Sequence, residues 1–523
     1  MYTEETPQRI AKFSHSPAVV YSRGKSNIPT VDACVIGHAL LVLGDNLPHC
    51  DTLICDVQIL DGTGASARTA ELAIKDGAIE RIGDLSGYTA THTVNGEGQV
   101  LAPGFIDAHT HDDLCAIRVP EMLPKLSQGV TTVIAGNCGI SAAPVNAKAQ
   151  LPSPMNLLGE PDAFRYGSFN DYVAALREAQ PAVNVAALIG HTSLRANVMD
   201  RLDRSATPAE IAAMRAQLEE GLQHGALGLS TGLAYTPAKS ASTEEVIQIA
   251  ETMTGTNGIY ATHIRTESDG VLQALEEAIC IGKQAKVPVV ISHLKCAGIR
   301  NWKRSSELLR LLQTQAENSI GWDAYPYSAS STILDLNQVD ERIEILITWS
   351  TPHPELSGKT LAQIATEWHV SQTDAAKRLQ PAGAIYHCMS EEDVRAILSH
   401  PRTMIGSDGL PNDKFPHPRL WGTFPRVLGH YSREQGLFPM AEAVRKMTSL
   451  PAQRFGLKNR GVLREGFAAD LVLLNTKEVR DAASFTDPIQ PAIGIDGVWV
   501  NGILSYWKQK ATGERAGRFL ARS

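Results

Sequence analysis

From Pro103 onward, short apolar runs alternate with longer stretches whose apolar positions recur every three to four residues. The short runs have the length and composition of buried strands, and the longer spacing is that of a helix buried along one stripe. The pattern predicts strands at Val183–Ile189, Ala226–Ser230, Ile259–His263, Val287–His293 and Ile320–Asp323. Between them it predicts helices at Thr207–His224, Thr243–Thr254, Val271–Ala285 and Ser305–Glu317. Sustained strand and helix alternation requires a parallel sheet. Its length, with polar residues gathered just past the strands, favours an α/β fold of the (β/α)8 TIM-like barrel type over a doubly wound sheet. The candidate strands slightly outnumber eight, so one of them belongs elsewhere.

The flanks read differently. Leu53–Leu60 and Glu71–Ile82 are β-rich and punctuated by Asp61-Gly62 and Asp76-Gly77, the residues of tight turns. Gly461–Leu474 and Gly497–Ser505 return to short strands with turn glycines. The two chain ends are therefore expected to build one small β-sandwich beside the barrel. Residues 328–401 are richer in proline and polar residues, with a helical piece at Thr360–Trp368, the pattern of an insertion on a barrel loop. The first 46 residues show little periodicity. The expected division is an N-terminal extension over 1–46, a β domain over 47–102 and 457–523 with a C-terminal tail, and the barrel over 103–456.

Composition narrows the function. The 523 residues are 43% hydrophobic and 20% charged, an ordinary globular balance with room for a large core. A formal net charge of -8 offers no basic patch for nucleic acid or an anionic membrane, which leaves small-molecule chemistry. The longest apolar run, Ala33 to Gly44, is broken by His38, too short for a membrane span and misplaced for a usual signal peptide. Eight scattered cysteines lack the dense spacing of a disulfide scaffold and read as reduced thiols in a cytoplasmic protein.

Chemistry gathers at the ends of the predicted strands. In Gly-Phe-Ile-Asp-Ala-His109-Thr-His111, the strand period of two puts both histidines on one face, where their imidazoles can converge on one metal ion. His263 and His293 close two further strands, where a barrel delivers residues to its working face. Any one of these alone reads more readily as a hydrogen-bonded structural residue; four at matching strand ends point to a metal. Asp408 follows the last strand-like run, and Asp-Gly is also a common turn. Cys138 ends Val-Thr-Thr-Val-Ile-Ala-Gly-Asn-Cys, where a cysteine is ordinarily inert packing.

Together, segments 103–113, 127–141, 260–267, 291–295, 323–327, 405–411 and 417–426 resemble the amidohydrolase superfamily and, within it, the N-acyl-D-amino-acid deacylases, from about Cys55 to Phe519. Gly-Asn-Cys-Gly and Pro-Arg-Leu-Trp-Gly carry the narrower likeness. Many superfamily members bridge two metals with a carboxylated lysine on the fourth strand. The corresponding run, Gly225 to Gly232, contains no lysine, and in the deacylases a cysteine ligand fills that gap. The resemblance implies one tight Zn2+ site at Cys138, His263 and His293, and a second, weak or empty site at His109, His111 and Asp408. Thiolate and imidazole donors suit zinc on chemical grounds as well.

The implied reaction is hydrolysis of a linear N-acyl-D-amino acid. Asp408 would take the proton of the attacking water and return it to the departing amine. Lys295, Arg419 and Tyr325 would receive the product's α-carboxylate, and Met389 would help line an apolar pocket. Residues 328–340 hold no Lys or Arg, which favours a neutral D-side chain, with Arg342 the nearest cation able to reverse that preference. The alternatives are a cyclic-amidase or dihydroorotase-like ring opener, against which the missing lysine argues, and a non-catalytic scaffold, which would have lost ligands or base. Oligomeric state is not legible in the sequence.

Overall fold

The computed structural model describes residues 47–145 and 151–522; the expected extension over 1–46 lies outside the described residues. The helices start where local chemistry dictates. Thr207 accepts from the Glu210 N–H while the Glu210 side chain reaches back, with Pro208 fixing the first turn of Pro208–Gln223. Ser168 with Asp171 and Thr360 with Gln363 form the same reciprocal cap on Phe169–Ala179 and Leu361–Glu367.

Parallel pairing joins Phe105–Asp107 to Val130–Ala135 and Val130–Ala135 to Asn184–Ala187. It then runs from Gly228–Gly232 through Ile259–His263, Val289–Ile291 and Ile320–Ala324 to Thr403–Ile405. The Leu227 N–H donates to the Ala187 carbonyl at 2.8 Å, and the Ala108 N–H to the Ile405 carbonyl at 3.2 Å. A parallel bridge pairs Thr110 with Gly409, so the succession of strands returns to its start. The predicted strand Val183–Ile189 is split: Asn184–Ala187 pairs with Val130–Ala135, whereas Ile189–Gly190 pairs with Gly228–Gly232.

These strands are buried on both faces. Ile134, Ala186, Ile259, Ala261, Val290 and Met404 pack among themselves. Alternate neighbours such as Val133, Val185, Tyr260, Val289 and Ile291 pack instead with helix residues including Leu218, Ile249 and Leu275. Such a strand shows no alternation of apolar and polar residues, because neither face meets water.

Both chain ends contribute to one nine-stranded sheet, in which Leu471–Leu474 pairs antiparallel with Val100–Pro103. The Asp76-Gly77 turn between Arg68–Lys75 and Ala78–Gly83 has positive φ at both residues (51° and 78°), which matches the right-handed twist of the hairpin. Within 328–401, Ser330–Ile333, Ala382–Tyr386 and Ile345–Ser350 form a separate three-stranded antiparallel sheet. No helix among the described residues is long and apolar enough to cross a membrane.

Candidate metal centre and active site

The loop after Val130–Ala135 is shaped to present a thiol. Gly136, Cys138 and Gly139 all have positive φ (75°, 54° and 75°). A Cβ on Gly136 would lie 2.1 Å from the Leu188 carbonyl oxygen, and one on Gly139 would lie 2.5 Å from the Gly232 nitrogen. Only glycine fits at both positions, which explains Gly-Asn-Cys-Gly. Asp113 accepts the Gly136 and Ala142 N–H groups at 3.1 and 3.2 Å, closing the loop at both ends, and the Ser230 hydroxyl accepts the Gly139 N–H at 3.1 Å. His293 and Asp408 also have positive φ, 37° and 50°. A non-glycine residue held there costs about 1–3 kcal/mol, a cost typical of functional positions.

Four buried donors converge. One ligand atom each from His109, Cys138, His293 and Asp408 lies within 4.8 Å of the others. Cys138 Sγ is 3.3 Å from Nε2 of both His109 and His293. Asp408 Oδ1 is 3.5 Å from His109 Nε2 and 3.2 Å from His111 Nε2. His263 falls in a neighbouring group with Glu267 and His293; its ring lies 4.5 Å from that of His293, and its Nδ1 is buried without a hydrogen-bond partner among the described residues. The expected six ligands thus form one buried neighbourhood, with His293 shared between two groups.

The electrostatics fit a cation at this place. Burial would push the Cys138 thiol up, but His109 and His293 hold it well below the usual thiol range. Burial likewise opposes ionisation of Asp408, and Arg419, His293 and His109 overcome it. In return, the anions outweigh the desolvation of the imidazoles and raise both His111 and His293 to about 9. The thiolate and the carboxylate thus make the pocket attractive to positive charge; a zinc ion would take the place of the imidazole protons, and thiolate, carboxylate and neutral imidazole are donors that zinc accepts.

The remaining expected residues line the same region. Arg419 Nη2 is 2.9 Å from Asp408 Oδ2, and its guanidinium lies 4.6 Å from the centre of the Tyr325 ring. Lys295 Nζ lies 5.7 Å from the same ring. The Tyr325 hydroxyl and Arg419 Nε and Nη1 are buried with no hydrogen-bond partner among the described residues. Met389 is buried and shares a small cavity with His293, Lys295 and Tyr325. Arg342 is elsewhere: its side chain is 57% exposed and pairs with Asp340 at 2.6 Å.

Comparison with known proteins decides the family. The Amidohydrolase family model matches residues 92–322 and 354–506. A D-aminoacylase of Alcaligenes xylosoxydans xylosoxydans is 50% identical over 474 residues, 90% of this chain and 98% of that one. The chain belongs to the D-aminoacylase branch of the amidohydrolases. A solved D-aminoacylase, described for a binuclear metal centre with one-metal activation and second-metal attenuation, superposes with a TM-score of 0.88 at 49% identity, covering 90% of this chain and all of that one. An N-acyl-D-glutamate deacylase of Bordetella bronchiseptica, complexed with zinc and a phosphonate mimic of the tetrahedral intermediate, superposes at 0.86 with 44% identity and the same coverage.

In this D-aminoacylase relative, three site carboxylates are not assigned to the site by sequence pattern alone. Asp323 accepts the His293 N–H at 2.9 Å and lies 3.4 Å from His109 Nδ1, so it anchors two candidate ligands. Asp113 closes the cysteine loop. Glu267 touches His293 Nδ1 at 2.9 Å and Lys295 Nζ at 2.5 Å. Asp323 ends a strand as the histidines do, a signal the pattern already held; Glu267 lies in a loop where no periodicity applies.

Proposed function

We propose that this protein hydrolyses the amide bond of N-acyl-D-amino acids, releasing a carboxylate and the free D-amino acid, with zinc as cofactor and a preference for neutral D-side chains. The observation that carries this reading is the convergence of His109, Cys138, His293 and Asp408, with Arg419 paired to Asp408. Cys138, His263 and His293 would hold the tight zinc, and His109, His111 and Asp408 a second, weaker or empty site. Zinc, when bound, supplies Lewis acidity and lowers the pKa of a water ligand to about 7.

The chain's own residues do the rest. Asp408, ionised at neutral pH, accepts the proton of the attacking water and donates it to the departing amine nitrogen. Arg419, Lys295 and Tyr325 bind the α-carboxylate; the unpartnered Tyr325 hydroxyl and Arg419 nitrogens are donors with capacity to spare. Met389 offers an apolar wall to the side chain. The outward pairing of Arg342 with Asp340 supports the neutral preference, since an acidic side chain would need a cation in the pocket.

The returning succession of parallel strands supports a (β/α)8 barrel over 103–456, with an insertion at about 328–401. The sheet shared by residues 47–102 and 457–523 supports a small β-sandwich beside it. Seven free cysteines among the described residues suit a reducing, cytoplasmic setting. The substrate preference is tested by amine release from N-acetyl-D-methionine and N-acetyl-D-glutamate by zinc-loaded protein. Faster release from the methionine substrate is expected; preference for glutamate overturns the neutral pocket, and release from neither overturns the activity.

A further inference from the structure

Glu267 lies four residues beyond the strand Ile259–His263 and has no part in the chemistry so far. Its Oε1 lies 2.9 Å from His293 Nδ1 and 2.5 Å from Lys295 Nζ, and Lys295 Nζ lies 2.7 Å from the same His293 Nδ1. Its Oε2 lies 4.0 Å from His263 Nε2. One carboxylate thus touches a candidate zinc ligand and a candidate substrate-binding cation, and approaches a second ligand.

The two neighbours of His293 Nδ1 make opposite demands. A lysine ammonium only donates, so bonding to it requires Nδ1 to accept; a neutral ring then carries its proton on Nε2 and has no lone pair for a metal there. A carboxylate only accepts, so in the neutral ring that metal binding requires Nδ1 keeps its proton, and the lone pair is left on Nε2, which lies 3.3 Å from Cys138 Sγ. Glu267 resolves this competition twice over, by accepting from Nδ1–H and by holding the Lys295 ammonium on its own oxygen.

We propose that Glu267 is a positioning residue that fixes His293 in its metal-binding tautomer and tethers Lys295 beside it, coupling the zinc site to the substrate-carboxylate site. Carboxylates that orient a ligand histidine in this way typically change metal affinity or activity by about 10–100-fold when removed. The inference rests on the functional reading of His293 and Lys295.

The test is zinc affinity of the full chain by chelator competition without substrate, with KM for N-acetyl-D-methionine measured separately at saturating zinc. In Glu267→Gln, which keeps size but replaces one acceptor oxygen with a donor, zinc affinity falls by about 10–100-fold and KM rises, while the metal-free protein melts as wild type does. Glu267→Asp keeps the charge and recovers part of the zinc affinity. Lys295→Met raises KM and leaves zinc affinity intact, which separates the two arms of the carboxylate. If Glu267→Gln does not fold, Glu267→Asp is read alone against wild type: weakened zinc binding with unchanged metal-free melting supports the assignment. Wild-type zinc affinity and KM in the variant that folds overturn it. A wild-type protein that neither binds zinc nor turns over the D-substrate overturns the functional reading and this inference together.

Discussion

Two buried polar clusters occupy opposite ends of the parallel strands, and they differ in how fully their atoms are paired. At the strand starts, Asn184 Nδ2 donates to Asp470 Oδ2 at 3.1 Å, and Asn501 donates to Asp470 and Asn184 at 2.7 and 2.8 Å. Arg460 closes onto Asp470 and reaches Asn501 at 2.8 Å. None of these side chains has a buried atom without a partner. At the strand ends, His111, His263, Tyr325 and Arg419 all keep buried atoms unpaired among the described residues, and Cys138, His293 and Asp408 sit at positive φ. A saturated network fastens the nine-stranded sheet to the parallel strands; an unsaturated, strained one is arranged for something other than itself. Equal burial therefore carries opposite meanings at the two ends.

Breaking each end should have distinct consequences. The largest effect is expected for Asp408→Ala, which removes the proton carrier: kcat falls by about 10²–10⁴-fold while zinc remains bound, measured by amine release and metal analysis of one preparation. Next, Asp470→Ala leaves Arg460, Asn184 and Asn501 without their shared acceptor. Denaturant unfolding should show a loss of about 3–5 kcal/mol, with kcat/KM of the folded protein unchanged. If instead Asp470→Ala lost activity without stability, the contrast between the ends would fail.

A smaller effect sharpens the same contrast. The Tyr325 hydroxyl has no partner among the described residues, so Tyr325→Phe breaks no hydrogen bond described in the fold. Stability should stay within about 0.5 kcal/mol of wild type, whereas KM for an N-acyl-D-amino acid rises about 10-fold through the lost bond to a carboxylate. The smallest effect is expected at Arg342, whose exposed pair with Asp340 contributes under about 1 kcal/mol. Arg342→Ala should leave the ratio of kcat/KM for N-acetyl-D-methionine and N-acetyl-D-glutamate unchanged.

The helices and parallel strands were largely legible because their signals are local. The periodicity predicts Val271–Ala285 to the residue, and Thr207, Pro208 and Glu210 mark one helix start unaided. The insertion was less legible: Ile345–Ser350 and Ala382–Tyr386 are short, separated by helical sequence, and pair antiparallel with each other and not with the parallel set. At the site, strand-end histidines announce themselves through period and position. Cys138 does not, and only the resemblance singled it out. Asp323 and Glu267 went unread for a different reason. Asp323 meets His109 across 214 residues of chain, and Glu267 meets Lys295 across 28, and no periodicity says which side chains will face one another.

The strand-end cluster is proposed to hold zinc for the hydrolysis of N-acyl-D-amino acids. Its most direct test is amine release from paired N-acetyl-D- and N-acetyl-L-methionine, measured as zinc is added back to metal-free protein. Turnover of the D-enantiomer alone, rising with zinc to a plateau near one tightly bound ion per chain, is the predicted result. Zinc bound without turnover of either enantiomer, or equal turnover of both, would contradict it.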